Sequence, residues 1–432
     1  MSGFALGLTG IGVMFVLLFS RQPVWLALAL VGIVGNILLN SLNMARFVAG
    51  TTFFDTAANY NLSVIPLFVL MGEIASSSRM SAELFSAARV ILSGLRGGLA
   101  VASLAASGAF GAICGSSVAT AASMTRIALP EMRKAGYDDG YASGSIAAGG
   151  SLGILIPPSI ILVIYGSIAE QSVARLFAAA LFPGIVMMLI YIAVALIVAR
   201  RSGNVPRDAA ASLLERVLAL RHAWQFALLF IMTIGGIYTG VFSPSEAASV
   251  GAFGAIVLGL VRRSLSLAAL VKAVQTSVIV SSALLMIVLG ATLFAQFIVQ
   301  TRLPDTLLSM AQAADLSPAV VIGLIILLYI VMGCFLEGIG MVLITVPVFL
   351  PVVVGYGFDP ILFGVLVAVL VELGLITPPV GMNLFIIRAQ VPDMSMATLY
   401  RGILPFLIAP LILVALILAW PPLTLWLPAA LY

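Results

Sequence analysis

The sequence predicts an all-α polytopic membrane protein made of inverted repeats, with two re-entrant helical hairpins and two discontinuous transmembrane helices. Three observations support this fold class: an apolar composition, many apolar runs of spanning length, and two Pro-Pro motifs at matching positions of a repeat. Of the 432 residues, 62% are hydrophobic and 8% are charged, and the mean hydropathy is +1.23. A soluble domain carries about 25% charged residues, so the composition excludes a soluble protein of this length.

Charge and cysteine usage exclude other classes of protein. The chain has 20 Lys and Arg against 16 Asp and Glu, with two Cys and one His. This small cationic excess is typical of cytoplasmic loops in a membrane protein rather than of nucleic-acid binding. Two cysteines exclude a disulfide scaffold, and a lone histidine in a basic loop argues against a zinc or haem site.

Apolar runs of about 20 residues are long enough to cross about 30 Å of hydrocarbon. The first run is interpreted as a span rather than a cleaved signal, because residues 1–9 carry no Lys or Arg. The predicted full spans are 4–20, 23–40, 62–78, 141–167, 176–199, 224–242, 246–261, 276–299, 360–388 and 403–420.

Two further apolar stretches, 98–124 and 318–355, are predicted to be re-entrant hairpins. The first is short for two crossings but fits two half-depth arms around a polar tip. With both hairpins re-entrant and the N-terminus outside, most Lys and Arg residues fall in cytoplasmic loops, among them Arg126 and Arg207. A single crossing at 98–124 would move the basic loop at 200–222 outside, against the positive-inside rule. For 318–355, two full spans would give the same topology, so that alternative stays open.

The chain contains an internal repeat at an offset near 222 residues. The clearest match pairs residues 153–158 (Gly-Ile-Leu-Ile-Pro-Pro) with residues 374–379 (Gly-Leu-Ile-Thr-Pro-Pro). The first half starts outside and the second inside, and such inverted repeats are an architecture of secondary transporters. We therefore expect a first repeat at 1–200, a cytoplasmic basic linker at 201–222 and a second repeat at 223–432.

Each repeat carries its Pro-Pro pair inside an apolar span, in the segments 141–167 and 360–388. Proline removes a backbone donor and clashes with the preceding turn, so each pair is expected to interrupt its helix in mid-membrane. Irregular backbone at that depth is tolerated only where it is buried in protein or lines a cavity. Its free carbonyls suit a small alkali cation, and the half-helix after the break favours an anionic group. A packed proline kink is the alternative for either pair alone.

Polar and small residues around the breaks and the hairpin tips are the candidate ligands. The structural alternative for each hydroxyl is a bond back to its own helix. Ser159, Thr377 and Asn383 flank the breaks, Ser116, Ser117 and Thr120 lie at the first tip, and Glu337, Gly338, Gly340 and Thr345 lie at the second.

Charged residues inside apolar stretches are costly and usually functional. Glu337 at the second tip is the strongest candidate to offset the charge of a cation or to carry a proton. Glu73 and Glu372 are equally well explained by bonds across helices. Arg388 either contacts an anionic substrate or, as the more common role, anchors its helix at the cytoplasmic side.

Three local patterns predict structural elements rather than ligands. The segments 79–96 and 264–274 are short and partly charged, and we expect interfacial helices there at matching places of the repeat. Ser243 and Glu246 have the spacing of a capping box, so Glu246 is interpreted as structural.

Three long motifs in this order resemble the large membrane subunit (M subunit, DctM-like) of tripartite ATP-independent periplasmic (TRAP) transporters, in the ion-transporter superfamily. The similarity covers essentially the whole chain. The motifs are residues 150–159 (GSLGILIPPS), 235–248 (GGIYTGVFSPSEAA) and 374–385 (GLITPPVGMNLF).

The resemblance implies an elevator-type, sodium-coupled importer of a small anionic organic solute, with two or more sodium ions, no organic cofactor and no enzymatic activity. The family pattern leads us to expect an aspartate at the second tip, where this chain has Glu337. By matching motif, one sodium site would use Ser116, Ser117, Gly153 and Pro157, and the other Glu337, Gly338, Thr377 and Pro378. The residues assigned to the substrate are Thr120, Ser159, Gly340, Thr345, Gly381, Asn383 and Arg388.

The resemblance also implies two protein partners and a location. A small four-helix membrane subunit (Q type) would complete the scaffold, and a periplasmic binding protein (P type) would deliver the substrate. The chain would lie in the bacterial inner membrane as a multi-pass protein, with its N-terminus in the periplasm.

Rival functions stay open at this point. A single-subunit sodium- or proton-coupled carboxylate symporter would share the architecture, and Glu337 could carry the coupling proton. An intramembrane enzyme would need a nucleophile–base pair or a metal site, for which the sequence offers no motif. A channel would not need coupling to a gradient. The sequence has no ATP-binding motif, so an ion gradient is the expected source of energy.

Overall fold

The computed structural model describes residues 2–201, 205–206 and 209–432, so Arg207 of the predicted basic linker lies outside the described residues. The described part of the chain is built from helices and contains no β-strand. Eight helical segments in this part are long and apolar enough to cross a membrane. They identify a multi-pass membrane protein, as the composition predicts.

The first half consists of five helices, a helical hairpin, an interrupted helix and a long helix. In order they are α1 (Gly3–Phe19), α2 (Val24–Leu39), α3 (Leu42–Ala58), α4 (Val64–Ser77), α5 (Met80–Ile91), α6 (Gly98–Cys114), α7 (Ser117–Lys134), α8 (Asp139–Leu155), α9 (Ile160–Ile168) and α10 (Val173–Arg201).

The second half follows a similar order. Its helices are α11 (Leu213–Leu220), α12 (Trp224–Phe230), α13 (Gly236–Tyr238), α14 (Pro244–Val261), α15 (Leu267–Gln300), α16 (Leu303–Ala313), α17 (Pro318–Gly333), α18 (Gly338–Gly355), α19 (Pro360–Ile376), α20 (Met382–Gln390), α21 (Met396–Ile403), α22 (Ile408–Ala419) and α23 (Pro422–Leu431).

Two hairpins and two broken helices occur at matching places in the two halves of the fold. We call α6 with α7 the first hairpin and α17 with α18 the second hairpin. We call α8 with α9 the first broken helix and α19 with α20 the second broken helix. Both interruptions fall at the Pro-Pro pairs, as predicted, and the Pro157–Pro158 and Pro378–Pro379 peptide bonds are cis.

The arms of the first hairpin are longer than the half-depth arms predicted from the sequence. Since α6 has 17 residues and α7 has 18, each arm is about 26 Å long at 1.5 Å per residue. Polar side chains do not stop the second arm at 124, because Thr125 Oγ1 donates a hydrogen bond to the Ala121 carbonyl oxygen at 2.7 Å within the helix. Arg126 therefore lies within helix α7 and not in a loop.

The prediction of a separate interfacial helix at 264–274 is also wrong, because α15 runs from Leu267 to Gln300 without interruption. Lys272 and Gln275 are good helix formers, and neither Gly nor Pro precedes Gly290 in this helix. The polar stretch therefore continues into the apolar span. The helices α3 and α23 were not predicted at all, whereas the segment 79–96 does contain α5.

Helices of the second half follow those of the first at an offset of about 222 residues. The pairs α5 and α16, α8 and α19, and α9 and α20 illustrate this spacing. The largest difference is that α3 and α4 correspond to the single helix α15. In the first half Asn59 ends α3, and its side chain accepts a hydrogen bond from the Asn61 amide at 2.9 Å.

Packing follows the same pairing of halves. Helix α2 packs against α15 while α4 packs against α14, and α7 packs against α20 while α9 packs against α18. We call α2, α4, α14 and α15 the frame, and the two hairpins with the two broken helices the hairpin body. The capping box predicted at Ser243 and Glu246 is present at the start of α14.

Paired glycines bring each hairpin into backbone contact with the broken helix of its own half. A Cβ atom on Gly111 would lie 2.6 Å from Gly153 Cα, and a Cβ atom on Gly333 would lie 2.8 Å from Gly374 Cα. These separations leave no room for a side chain, as at the close helix crossings of membrane proteins. The contact recurs in both halves and holds each hairpin against its broken helix.

Replacing Gly333 by Ala is expected to lower stability by about 1–3 kcal/mol, because the added methyl group overpacks the contact with Gly374. The matched control is Gly323→Ala in the same helix, where a Cβ atom meets nothing within 4 Å. The melting temperature of each purified variant, measured by scanning fluorimetry in detergent, checks this. Equal melting temperatures for the two variants would contradict a structural role of the glycine contact.

Candidate functional site

The two hairpin tips meet at a cavity of about 690 Å³. Ser116 and Ser117 of the first tip and Glu337 and Gly338 of the second tip line it. The broken helices contribute apolar side chains to the same cavity, including Ile160. The structure therefore brings together both tips, which are about 220 residues apart in the sequence, as the repeat predicted.

The first tip is a tight turn that exposes its backbone. Gly115 has φ +63°, a left-handed conformation that favours glycine. Ser116 is the N-cap of α7, and its hydroxyl accepts a hydrogen bond from the Ala119 amide at 3.4 Å. The Thr120 hydroxyl donates to the Ser116 carbonyl oxygen at 2.8 Å and is buried. Thr120 therefore bonds within its own helix and does not line the cavity.

The first tip lies directly on the first helix break. A Cβ atom on Gly153 would lie 2.9 Å from the Ser116 carbonyl oxygen, and one on Gly115 would lie 2.9 Å from the Pro158 carbonyl oxygen. Pro157 is buried with the rest of the break. The Ser159 hydroxyl caps α9 by accepting from the Leu162 amide at 3.3 Å. Backbone oxygens of the tip and of the break thus lie close together.

The second tip reaches both broken helices. A Cβ atom on Gly338 would lie 2.5 Å from Val371 Cγ1 in α19 and 3.7 Å from Ile161 Cδ1 in α9. Glu337 is half-buried and is the N-cap of α18. Its carboxylate faces the Ile339 amide without closing a capping hydrogen bond. The positive end of a helix dipole stabilises an anion at this position.

The second break is less enclosed than the first. Thr377 and Pro378 are half-buried, and the Thr377 hydroxyl donates to the Leu373 carbonyl oxygen at 2.5 Å. The Pro379 carbonyl oxygen accepts a hydrogen bond from the Tyr400 hydroxyl. Gly381, with φ +62°, is the N-cap of α20. Neither Thr377 nor Pro378 lines the cavity.

Asn383 ties the two broken helices together. Its Nδ2 atom donates to the Ala147 carbonyl oxygen at 3.3 Å, and its buried Oδ1 atom has no hydrogen-bond partner in the described part of the chain. An unpaired buried acceptor is costly, so this oxygen is available to a ligand that reaches it.

None of the seven residues assigned to the substrate lines the cavity, and three of them make clear contacts elsewhere. The Thr345 hydroxyl is buried and bonds to the Tyr329 hydroxyl of the opposite arm and to the Met341 carbonyl oxygen. A Cβ atom on Gly340 would contact Val24 of the frame at 3.3 Å. Arg388 donates to the carbonyl oxygens of Val391 and Pro392 just beyond α20. These contacts support the anchoring alternative for Arg388 and a packing role for the other two.

Two charged residues of the cavity wall were not identified as ligands from the sequence. Glu73 and Ser76 of α4, with Arg126 of α7, line the cavity beside the first tip. The spacing within α7 could have revealed Arg126, because Ala119, Ala122 and Arg126 follow the i, i+3, i+7 pattern of one helix face. Arg126 was missed because α7 was expected to end before it.

A buried carboxylate lies outside the cavity. Glu372 of α19 is fully buried, and neither of its carboxylate oxygens has a hydrogen-bond partner among the described residues. The carboxylate faces the Leu155 amide of α8 without closing a hydrogen bond to it.

Related sequences cover nearly the whole chain. Residues 11–423 match the family model described as "Tripartite ATP-independent periplasmic transporter, DctM component". The chain is 36% identical over 394 residues to the C4-dicarboxylate TRAP transporter large permease protein DctM of Pseudomonas aeruginosa, covering 91% of this chain and 92% of that protein. It is 32% identical over 415 residues to the sialic acid TRAP transporter large permease protein SiaM of Vibrio cholerae, covering 95% and 96%.

The fold resembles that of a solved transporter as well. The YdaH transporter of Alcanivorax borkumensis superposes with a TM-score of 0.63 at 17% sequence identity, covering 89% of this chain and 91% of that chain. At this identity the likeness concerns the fold alone.

Cysteine labelling is expected to separate cavity residues from buried ones. In a background with Cys114 and Cys334 changed to Ala, Val118→Cys should react readily with a maleimide, because Val118 lines the cavity and is 46% exposed. Thr345→Cys is the control and should stay unlabelled in folded protein, because Thr345 is 2% exposed. Mass spectrometry of each protein in detergent measures the fraction labelled by the maleimide over time. Labelling of Thr345→Cys at the rate of Val118→Cys would contradict the described hairpin packing.

Proposed function

Since the chain belongs to the DctM component of the tripartite ATP-independent periplasmic transporter family, we propose that it imports a small anionic organic solute together with sodium ions. The observation that carries this proposal is the cavity between the two hairpin tips, which combines oxygen ligands with three charged side chains. The relatives named above are permeases for C4-dicarboxylate and for sialic acid, and both of these are organic acids.

Sodium coupling is supported by the chemistry of the cavity wall. Hydroxyl, carbonyl and carboxylate oxygens are the ligands preferred by hard cations, and the two hairpin tips supply them at Ser116, Ser117 and Glu337. Glu73, Arg126 and Glu337 give the cavity a net charge of −1 when all three are ionised. A cation is therefore favoured first, and its charge then favours an anionic solute. The membrane potential supplies about 2.3 kcal/mol per charge per 100 mV.

An elevator movement is supported by the way the cavity is bounded. One wall comes from the hairpin body, and the opposite wall comes from Glu73 in α4 and from Val280 and Leu284 in α15 of the frame. The glycine contacts fix each hairpin to its broken helix, so the hairpin body would move as a unit relative to the frame. We infer that the hairpins are re-entrant and that the two repeats have opposite orientation in the membrane.

The remaining parts of the system follow from the family. We propose the bacterial inner membrane as the location, a periplasmic N-terminus, a small four-helix membrane subunit as a partner, and a periplasmic binding protein that delivers the solute. Uptake into vesicles by this chain alone would instead favour a single-subunit symporter.

We expect the Glu337 carboxylate to strengthen the binding of the coupling sodium ion. Glu337→Gln should raise the sodium concentration for half-maximal uptake by about tenfold, equivalent to about 1.4 kcal/mol. Glu246→Gln is the matched control, because Gln can still accept the capping hydrogen bond that the Ser243 amide donates at 2.8 Å. Uptake is measured in proteoliposomes that contain the complete transporter and an imposed sodium gradient. Full uptake in sodium-free buffer with a pH gradient would show proton coupling and contradict the proposal.

Cross-linking the frame to the first hairpin is expected to stop transport. The Ser76 and Ser123 hydroxyls are 2.9 Å apart across α4 and α7, so Ser76→Cys with Ser123→Cys should form a disulfide that blocks uptake until it is reduced. The matched control is Ser63→Cys with Ser245→Cys, whose hydroxyls are 3.4 Å apart and which links α14 to the residue before α4 within the frame. The control pair should transport normally when oxidised. Undiminished uptake by the oxidised Ser76–Ser123 pair would exclude this movement.

A further inference from the structure

We propose that Arg126 binds the carboxylate of the transported solute, and that Glu73 of the frame is its partner when no solute is bound. This inference rests on the proposed function and identifies the side chain that selects an anionic substrate. It also assigns a role to two charged residues that the hairpin tips and helix breaks do not explain.

The position of Arg126 fits a ligand-binding group. It is exposed to the cavity, whereas its neighbours Thr125 and Ala128 in α7 are buried. An arginine in a membrane-spanning segment is costly unless it faces a water-filled space or a partner. Among the residues that the structure describes, Arg126 has no hydrogen-bond partner and no ion pair within 4 Å, in contrast to Arg133 of the same helix, which pairs with Asp139 at 2.8 Å. Its guanidinium donors are thus free for a ligand.

The part of the frame that lines the cavity carries a carboxylate within electrostatic range of Arg126. Glu73 of α4 lines the same cavity, and Arg126 attracts its carboxylate without direct contact. The two helices already touch through the hydroxyls of Ser76 and Ser123, each three residues from one of the charged side chains. Arg126 and Glu73 therefore line one cavity from the hairpin body and from the frame, on opposite sides of the Ser76–Ser123 contact along the helices.

A carboxylate solute can form hydrogen bonds with Arg126 that Glu73 does not form. The guanidinium forms two parallel hydrogen bonds with a carboxylate that is free to align with it. Glu73 is fixed on α4 and interacts only through space, so the solute would replace it as the partner of Arg126. This exchange removes one attraction between the frame and the hairpin body, so binding of the solute favours their separation. Loading of the site and release of the hairpin body would thus be coupled.

The test compares three variants of the complete transporter in proteoliposomes, with radiolabelled succinate and N-acetylneuraminate as the probes. Arg126→Gln should raise the KM for the transported acid by about tenfold or more, because the bidentate contact is lost. Arg126→Lys should raise it by less, because the charge remains. Glu73→Gln should lower the KM, because the competing carboxylate is gone. Sodium dependence should be unchanged in Arg126→Lys, which keeps the net charge of the cavity at −1.

Arg89→Gln is the matched control, because Arg89 forms an exposed ion pair with Glu131 at 2.7 Å outside the cavity, and its KM should equal that of the wild type. An unchanged KM in both Arg126 variants would overturn the proposal, as would a raised KM in Glu73→Gln. If Arg126→Gln does not fold, as judged by its sodium-dependent thermal shift, Arg126→Lys with Glu73→Gln decides the question. Failure of the wild type to take up either acid with sodium would overturn the proposed function itself, and is thereby distinguished from failure of this inference.

Discussion

Irregular backbone in an apolar membrane must be covered by protein, and the architecture of this chain depends on that constraint. Residues 156–159 leave the helical ladder, and all four are buried. Their cover is the first hairpin tip, because Gly115 approaches the Pro158 carbonyl and Gly111 packs on Gly153. The first hairpin tip thus supplies the cover that the first interruption requires. The proximity of tips, breaks and cavity follows from this requirement, since the same oxygens that need cover are those that can bind a cation.

At the second break, side-chain hydroxyls bond to the backbone oxygens. The Thr377 hydroxyl bonds to the Leu373 carbonyl oxygen of its own helix, and Tyr400 of α21 donates to the exposed Pro379. The glycine contact is nevertheless preserved at Gly333 and Gly374. The two halves thus share a backbone path, but the first break is covered by a tip and the second by side chains. The first break is consequently the more enclosed of the two.

Features that depend on the local backbone could be predicted from the sequence, whereas contacts between distant helices could not. Each Pro-Pro pair removes two successive backbone donors, so the breaks at Pro157 and Pro378 were predictable. The continuity of α15 was not, because polar residues such as Lys272 mark a membrane surface and a helix interior equally well. The buried position of Thr345 depends on its hydrogen bond with Tyr329 in the opposite arm. Arg126 shows the same limit, because its exposure depends on where α4 packs.

The difference between two equivalent residues sets the charge of the cavity. Ser116 and Glu337 occupy the same position of the repeat, each as the N-cap of the second arm of its hairpin. The Ser116 hydroxyl accepts a hydrogen bond from the Ala119 amide, whereas the Glu337 carboxylate closes no capping hydrogen bond. With serine at both positions, Glu73 and Arg126 would leave the cavity neutral and without preference for a cation. With glutamate at both, a second excess negative charge would oppose an anionic solute. The one-sided substitution leaves a single excess negative charge, which suits a cavity that takes a cation and an anion together.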